Sequence, residues 1–502
     1  MATQASSESL CKKPPVSDVQ IESSGANVRP TEPMLAHPRN GDSKSAIALA
    51  GPVATQSEQL TPNYIPIDFA EFPDGTLVEL VQGPAGLALL IWSEGKASIV
   101  EQFEHDGRLL IPRAVDQKLR TNLRLPENVK PCPAAGQFFA EICEVLRSAV
   151  DLPESSIHLV AAFALSTWFV DHLTVAPYLW ICGPPGSGKT TLIRLLHCLC
   201  RRAVLTAGTI PLQVHPLPAL LRPTLLLDEL QFNGAQHSHA LESWLRAGNA
   251  RGVPVTVGGR WVHSFGAKVL CSRQPTSDTA LSSRALYISM VPTRKNLQAL
   301  DEETVERIAN DFQPRLLMFR LRHYRELRPV PIDCSTWSSR MRDLARALVF
   351  SLGDAGDEVL ISVIGAIIEQ GEQARVEREQ EPEALVVSAL FGYCHDEDST
   401  SVLVGQIASQ VNLCRKRIGE EADLKPRLVG SILRSLGLAT DKLDSFGRGL
   451  RLTAAVKRRV HQLEQIYDVT STDRPRIEGC SLCEEMMKAY GAEPADAPPV
   501  NV

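Results

Sequence analysis

The residues whose types and spacing best suit chemistry are Gly183, Pro184, Pro185, Gly186, Ser187, Gly188, Lys189, Thr190 and Thr191. They spell G-x-x-x-x-G-K-T. The apolar run Leu179, Trp180, Ile181 leads in, and Leu192, Ile193, Leu195, Leu196 and Leu199 lead out. A strand, a glycine-rich turn and an apolar-periodic helix, in that order, are the setting of a phosphate-binding loop. Glycines let the backbone wrap an anion so that its N–H groups point inward, and the following helix adds its positive end. Lys189 would reach the β- and γ-phosphates of ATP, and the Thr190 hydroxyl would bind Mg²⁺.

A second constellation follows. Leu225, Leu226, Leu227, Asp228 and Glu229 read as a buried parallel strand ending in two carboxylates. Open α/β sheets hold ligands at that end of their strands. Asp228 would hold the water shell of the Mg²⁺, and Glu229 would polarise an attacking water. Residues 267–271 form a third strand that ends at Ser272. That serine is placed either to sense the γ-phosphate or to be an ordinary strand-end hydroxyl. Arg284 stands just before a last strand, 285–290. It would reach the γ-phosphate held by a neighbouring subunit, or serve in a surface ion pair.

The elements that must position these groups are spread over several domains, because 502 residues exceed one ordinary domain. The composition is globular, 44% hydrophobic and 22% charged, with a net charge of −6, so any nucleic-acid surface has to be local. Twelve scattered cysteines and an N-terminus without an apolar export core point to reduced thiols in a cytoplasmic protein. The most apolar run, 157–170, is too short to span a bilayer and reads as a buried helix.

Residues 1–62 lack Phe, Trp and Tyr until Tyr64 and read as a disordered tail. Residues 63–130 alternate short apolar runs with turn residues, as a small β-rich module does. Residues 131–295 carry the helical lead-in and the phosphate-loop core. Residues 296–380 read as a helical lid and linker, with helices over 300–310, 315–324 and 339–352. There Arg340 or Arg342 would lean over the nucleotide or lie solvated.

Residues 381–470 read helix, helix, helix, hairpin. The third helix starts at Pro426 and stops at Gly437, burying Leu428, Val429, Ile432, Leu433 and Leu436. The hairpin turns at Gly447, Arg448 and Gly449. This is the order of a winged helix-turn-helix. Residues 411–460 hold twelve Lys or Arg against five Asp or Glu. Lys425, Arg427, Arg434, Lys442, Arg448 and Arg451 would meet DNA phosphates. Residues 471–502 read as a flexible tail with two reduced thiols. The pair Cys480 and Cys483 lacks the second pair that zinc needs, and nothing in the sequence brings His395 or His461 to it.

The phosphate loop, the 225–229 strand, Ser272 and Arg284 together resemble the AAA+ ATPase pattern. The runs 245–252, 265–268 and 278–290 resemble helicase-like ATPases of prophages and mobile elements. The resemblance implies an α/β P-loop NTPase core with a helical lid, binding ATP and Mg²⁺ and working as a homo-oligomer. It also implies that Arg251 and Arg284 lie nearest a subunit interface, and Ser272 stands where the wider class has Asn. The expected function is an ATP-hydrolysing, DNA-associated machine without membrane contact. The alternatives are a nucleotide-gated DNA-binding regulator and an ATPase scaffold whose winged helix docks protein.

Overall fold

The computed structural model describes residues 64–208, 215–230, 237–257, 259–274, 276, 278–332, 337–396, 398–417, 419–420, 423–443, 447–467 and 479–490. The expected disordered tail, 1–62, lies outside them. All of the described residues belong to one compact unit, Pro62–Val502.

The chain begins with seven strands: β1 (Tyr64–Ile67), β2 (Phe69–Glu71), β3 (Leu77–Gly83), β4 (Gly86–Ser93), β5 (Lys96–Val100), β6 (Phe103–His105) and β7 (Arg108–Pro112). β2 to β5 make an antiparallel meander, and β7 pairs with β6 and, in parallel, with β1. The two-residue turns Glu94-Gly95 and Asp106-Gly107 have positive φ at both positions, the hairpin geometry expected of such residues. Alternation along β3 and β4 splits their side chains between the two faces of the sheet. Val78, Leu89 and Ile91 pack with Leu110, whereas Leu77, Val81, Ala88 and Leu90 join the main core. The β-rich module is thus built into the body of the protein.

Next come α1 (Gln117–Arg120), α2 (Ala135–Ala149), α3 (Glu154–Ser166), β8 (Tyr178–Cys182), α4 (Lys189–Leu199), β9 (Val204–Ala207), α5 (Leu217–Leu220), β10 (Leu225–Asp228) and α6 (His237–Gly248). A hairpin follows, β11 (Pro254–Val257) and β12 (Arg260–His263), then β13 (Lys268–Ser272), α7 (Thr279–Ser282) and β14 (Ala285–Ser289). Five of these strands form one parallel sheet in the order β14-β8-β13-β10-β9. β8 is buried on both faces, which is why it reads as an unbroken apolar run. Leu179 and Ile181 face α2, α3 and α4, while Tyr178 and Trp180 face the layer containing α6.

The run 157–170 is the buried helix that its composition predicts, α3 continued by a 3₁₀ segment at Thr167–His172. No described helix is long and apolar enough to cross a membrane.

After the sheet come α8 (Glu302–His323), α9 (Ser339–Val349) and α10 (Asp357–Glu379). The sequence suggests two helices where α8 is continuous through Pro314. Proline frees the carbonyl four residues earlier. Here that carbonyl, on Asn310, accepts a 2.7 Å hydrogen bond from Lys130 Nζ, so the helix need not break. The helices α8–α10 share one core with α2–α4.

The C-terminal part has its own core. It runs α11 (Pro382–Cys394), β15 (Ser401–Leu403), α12 (Val404–Arg417), α13 (Pro426–Ser435), β16 (Asp441–Leu443), β17 (Gly447–Arg451), α14 (Ala454–Tyr467) and α15 (Ser481–Tyr490). β15, β17 and β16 form a small antiparallel sheet.

Three expectations need correction here. Leu428 is 50% exposed, because it sits in the first turn of α13, off the Val429-Ile432-Leu433 stripe. Gly447, Arg448 and Gly449 lie in β17, paired with β16, so they are strand and not the hairpin turn. Residues 481–490 are helical, with Cys483 and Met486 buried, so this stretch is no flexible tail.

A buried ionic cluster joins the β-rich part to the rest. Glu79 on β3 accepts from Arg201 at 3.1 Å, from Arg202 at 2.8 Å and from Arg320 of α8. Arg320 also pairs with Asp171, and Arg202 reaches Asp68 at 2.6 Å. Burial pushes the Glu79 carboxyl up, but Arg201, Arg320 and Arg202 outweigh it and hold it at about 2, below its ordinary 4.5. A depressed carboxylate contributes stability above its unfolded value, and the contribution is lost as pH falls through the folded value. Glu79→Gln should therefore cost about 3–5 kcal/mol at neutral pH by leaving buried guanidinium groups uncompensated. Its stability curve, followed by denaturant melts, should be flatter than wild type between pH 4.5 and about 2.

Candidate functional site

The glycine-rich loop leaves the carboxyl end of β8 and enters α4. Gly186 and Gly188 have φ of +78° and +89°. Gly183 is fixed by space: a Cβ there would stand 2.2 Å from the Met290 carbonyl oxygen and 2.7 Å from Ser187 Oγ. The N-cap of α4 is Gly188, which supplies no side-chain cap to the first-turn N–H groups. Ser187 Oγ is buried without a hydrogen-bond partner. Open helix-end donors and an orphaned hydroxyl fit an anion of several oxygens, as ATP phosphates would supply. Pro184 and Pro185 belong to the same loop, and Thr191 lies in the first turn of α4.

Lys189 Nζ donates to the carbonyls of Gly183 at 2.7 Å and Pro184 at 2.8 Å. An ammonium has three donors, so one remains for a phosphate. Thr190 Oγ1 lies 3.5 Å from Asp228 Oδ2. The other Asp228 oxygen accepts the Glu229 N–H at 2.8 Å. Glu229 is exposed and has a left-handed backbone, φ +54°, unusual for a residue with a Cβ. Hydroxyl and carboxylate thus meet beside the loop, and Thr190 with Asp228 offers hard oxygens of the kind Mg²⁺ takes.

A slot of about 190 Å³ opens beside the loop, lined by Val150, Asp151, Gly188, Met290, Thr293 and Gln298. Its wall is tied together by Asp151, which accepts from Thr293 and Lys295 at 2.6 Å each. Sequence reading missed Asp151, Thr293, Lys295 and Gln298, since they carry no motif and meet only through packing.

Ser272 is placed at the strand end but is already engaged. Its hydroxyl accepts from Trp180 Nε1 at 2.8 Å and donates to the Gln274 carbonyl at 2.6 Å. Arg251 is engaged too, donating to the carbonyls of Val170, Asp171 and Leu173. Arg284 is half-buried. Burial and the nearby Arg340 lower its pKa. Arg284 precedes Ala285, which pairs with Tyr178 at the start of β8, whereas the loop follows Cys182. Five residues of strand separate them, about 16 Å. Arg284 and the glycine-rich loop of the same chain therefore lie at opposite edges of the sheet. Arg342 lies in the first turns of α9 and donates to the Trp337 carbonyl at 3.4 Å.

Three basic residues of the C-terminal part, Arg427, Arg434 and Arg448, line one groove. Lys425, Arg427, Arg434, Lys442, Arg448 and Arg451 are all exposed. A groove of about 770 Å³ runs between the start of α12, α13 and β17, lined by Gln406, Ser409, Arg427, Arg434 and Arg448. Lys442 and Arg448 stand directly opposite on β16 and β17. Like charges so placed repel one another unless an anion lies between them.

A feature the sequence reading passed over is the β11–β12 hairpin. Its Trp261 is 76% exposed between Arg260 and Val262. At its base Lys268 is fully buried, donating to the carbonyls of Ser264 at 2.6 Å and Gly266 at 3.0 Å. Burial pushes the Lys268 ammonium down to about 7.

No protein-family model and no curated protein matches the sequence. Among solved structures, the chain is similar to the A form apo structure of the NrS-1 C-terminal region, at 12% identity and a TM-score of 0.33 over 75% of this chain and 97% of that one. It is similar to a full-length MCM homolog from Methanopyrus kandleri, at 14% and 0.30 over 59% and 76%. It is also similar to Drosophila ORC bound to DNA, at 15% and 0.18 over 66% and 91%. Scores this low leave the fold to be read from its own strands and helices, which form a mixed α/β protein with a parallel five-stranded sheet.

The close approach at Gly183 makes a direct test of the loop. Gly183→Ala should weaken binding of a fluorescent ATP analogue with Mg²⁺ by at least about tenfold, ~1.4 kcal/mol, while circular dichroism keeps its wild-type shape.

Proposed function

We propose that this chain is an ATP-binding and ATP-hydrolysing AAA+ machine that works on DNA, of the helicase- or translocase-like kind. The observation that carries the reading is the meeting of Thr190 and Asp228, 3.5 Å apart, at the end of the glycine loop, with Glu229 beside them. Lys189 and the α4 N-terminus hold the phosphates. Thr190 and Asp228 hold the Mg²⁺, which when bound neutralises charge on the phosphoryl oxygens. Glu229 accepts hydrogen bonds from the attacking water and orients it. The slot along Val150, Met290 and Gln298 takes the nucleoside.

Arg284 acts between subunits in this reading. It lies about 16 Å from its own loop by strand geometry, so a γ-phosphate it touches is one bound by a second copy of the chain. Ser272 holds the sheet through Trp180 and positions Gln274, in place of contacting nucleotide itself.

DNA contact rests on two surfaces. Helix α11, strand β15, helices α12 and α13, the β16–β17 pair and α14 follow the order of a winged helix, and the cationic groove on α13 and β17 suits a phosphate backbone. The β11–β12 hairpin offers Trp261 as a stacking platform with Arg260 beside it, a combination that suits unpaired bases.

ATP turnover of wild type and Glu229→Gln, measured without nucleic acid, with single strands and with duplex, tests the reading. Wild type should turn over and be accelerated by DNA. Glu229→Gln should lose about 10²–10⁴-fold, the range of a general base. Nucleotide binding without turnover under any condition, with tight salt-dependent binding to one duplex, would instead make the chain a nucleotide-gated DNA-binding regulator. Trp261→Ala should reduce the single-strand-stimulated increment several-fold, measured in the same assay.

A further inference from the structure

Four side chains outside the nucleotide site converge at the far end of the C-terminal core. They are His395 at the end of α11, His461 on α14, Cys480 just before α15 and Cys483 in its first turn. One nitrogen or sulfur from each lies within 4.8 Å of the others. His395 Nε2 stands 3.3 Å from Cys483 Sγ and 3.3 Å from His461 Nε2, and His461 Nε2 stands 3.5 Å from Cys480 Sγ. Neither cysteine is in a disulfide.

The imidazoles are already set for a cation. His395 Nδ1 is 2.8 Å from the Phe391 carbonyl, and His461 Nδ1 is 2.7 Å from the Lys457 carbonyl. A carbonyl only accepts, so each Nδ1 carries the proton, and Nε2 is left as the ring nitrogen that can offer a lone pair inward. Two such nitrogens facing each other at 3.3 Å suit a shared positive centre, a metal ion or a proton. Carbonyl bonds of this sort are also how proteins fix the tautomer of a metal-bound histidine. The Phe391 ring packs against both imidazoles, at 4.4 Å from His395 and 5.1 Å from His461, and holds their planes.

We infer that these four residues form a structural zinc site of the two-cysteine, two-histidine type. Tetrahedral zinc, with Zn–N of about 2.0–2.1 Å and Zn–S of about 2.3 Å, spaces two nitrogens about 3.3 Å apart and a nitrogen and sulfur about 3.5 Å apart. The observed 3.3, 3.3 and 3.5 Å separations are those of ligands around such a centre. Charge agrees as well. Zinc binding displaces the two thiol protons to solvent, and two thiolates with two neutral imidazoles bring Zn²⁺ to zero net charge. That suits a site where His461 and Cys483 are buried. The cysteines also sit at the N-terminus of a ten-residue helix, where its dipole favours thiolate. All four positions are protein ligands, so the site is closed and structural, without an open position for catalysis. Its work is to fasten α15 to α11 and α14.

The test uses full-length protein, untagged and purified under reducing conditions without chelator. Metal analysis should find about one zinc per chain, and each of Cys480→Ser and Cys483→Ser should hold less than about a tenth of that. Replacing zinc with Co²⁺ should give the strong visible bands of a tetrahedral centre, with thiolate-to-metal charge transfer in the near ultraviolet. This wild-type spectrum decides the matter even where a serine variant fails to fold. Reduced protein that holds no zinc and gives no such cobalt spectrum would overturn the assignment, as would zinc retained in full by both serine variants.

Discussion

The buried contact among Glu79, Arg201, Arg202, Arg320 and Asp171 is the constraint on which the rest of the body depends. It draws one carboxylate from the first sheet, two guanidiniums from the segment between α4 and β9, one from α8 and a second carboxylate from the segment after α3. An apolar core would tolerate small slips among these elements. Fully desolvated charges do not, because each needs its opposite at hydrogen-bond distance. The cluster lies directly after α4, whose first residues are Lys189 and Thr190. The helix that presents the phosphate loop is therefore fixed at its far end by the β-rich part of the chain. That gives the β-rich strands a task which their sequence, read alone, does not reveal.

What was legible in the sequence follows from range. The glycine loop, β8, β10 and β13 declare themselves within a few residues, since a buried parallel strand is a continuous apolar run and a phosphate loop is a fixed spacing. The turns at Glu94-Gly95 and Asp106-Gly107 are local in the same sense. Helix α8 was less legible because Pro314 argues for a break. The group that removes the penalty, Lys130, lies far away in the chain. Ser272 shows the same limit from the other side. A strand-end hydroxyl is ambiguous until Trp180 and Gln274 are seen to take both of its bonds. The four-ligand cluster was the least legible. Its ligands are contributed by three separate elements, and only the Cys480–Cys483 pair has a recognisable spacing.

Strain in the site is placed where chemistry would use it. Glu229 holds a left-handed backbone that costs of order 1–3 kcal/mol for a residue with a Cβ. The next residue, Leu230, returns to the core with its N–H on the Cys271 carbonyl at 2.9 Å. The chain therefore leaves β10 in a sharp turn that exposes Glu229 while the next residue, Leu230, is buried. A relaxed strand end would alternate, sending Glu229 to the face opposite Asp228.

The two edges of the parallel sheet carry different groups, and this separation follows from strand polarity. The carboxyl edge has the glycine loop, Asp228 and Glu229. The amino edge has Arg284 before β14 and the base of the β11–β12 hairpin before β13. Lys268 pins that base, since its ammonium bonds Ser264 and Gly266 and lies 4.9 Å from the ring centres of both Tyr178 and Trp244. Tyr178 begins β8, and its hydroxyl donates to Leu245 of α6 at 2.7 Å. The exposed Trp261 is thus mounted on the strand that ends in the phosphate loop, through one buried lysine and two aromatic rings. A rigid mount of this kind transmits displacement of β8 or α6 to the hairpin with little loss, because a close-packed interior does not absorb small shifts.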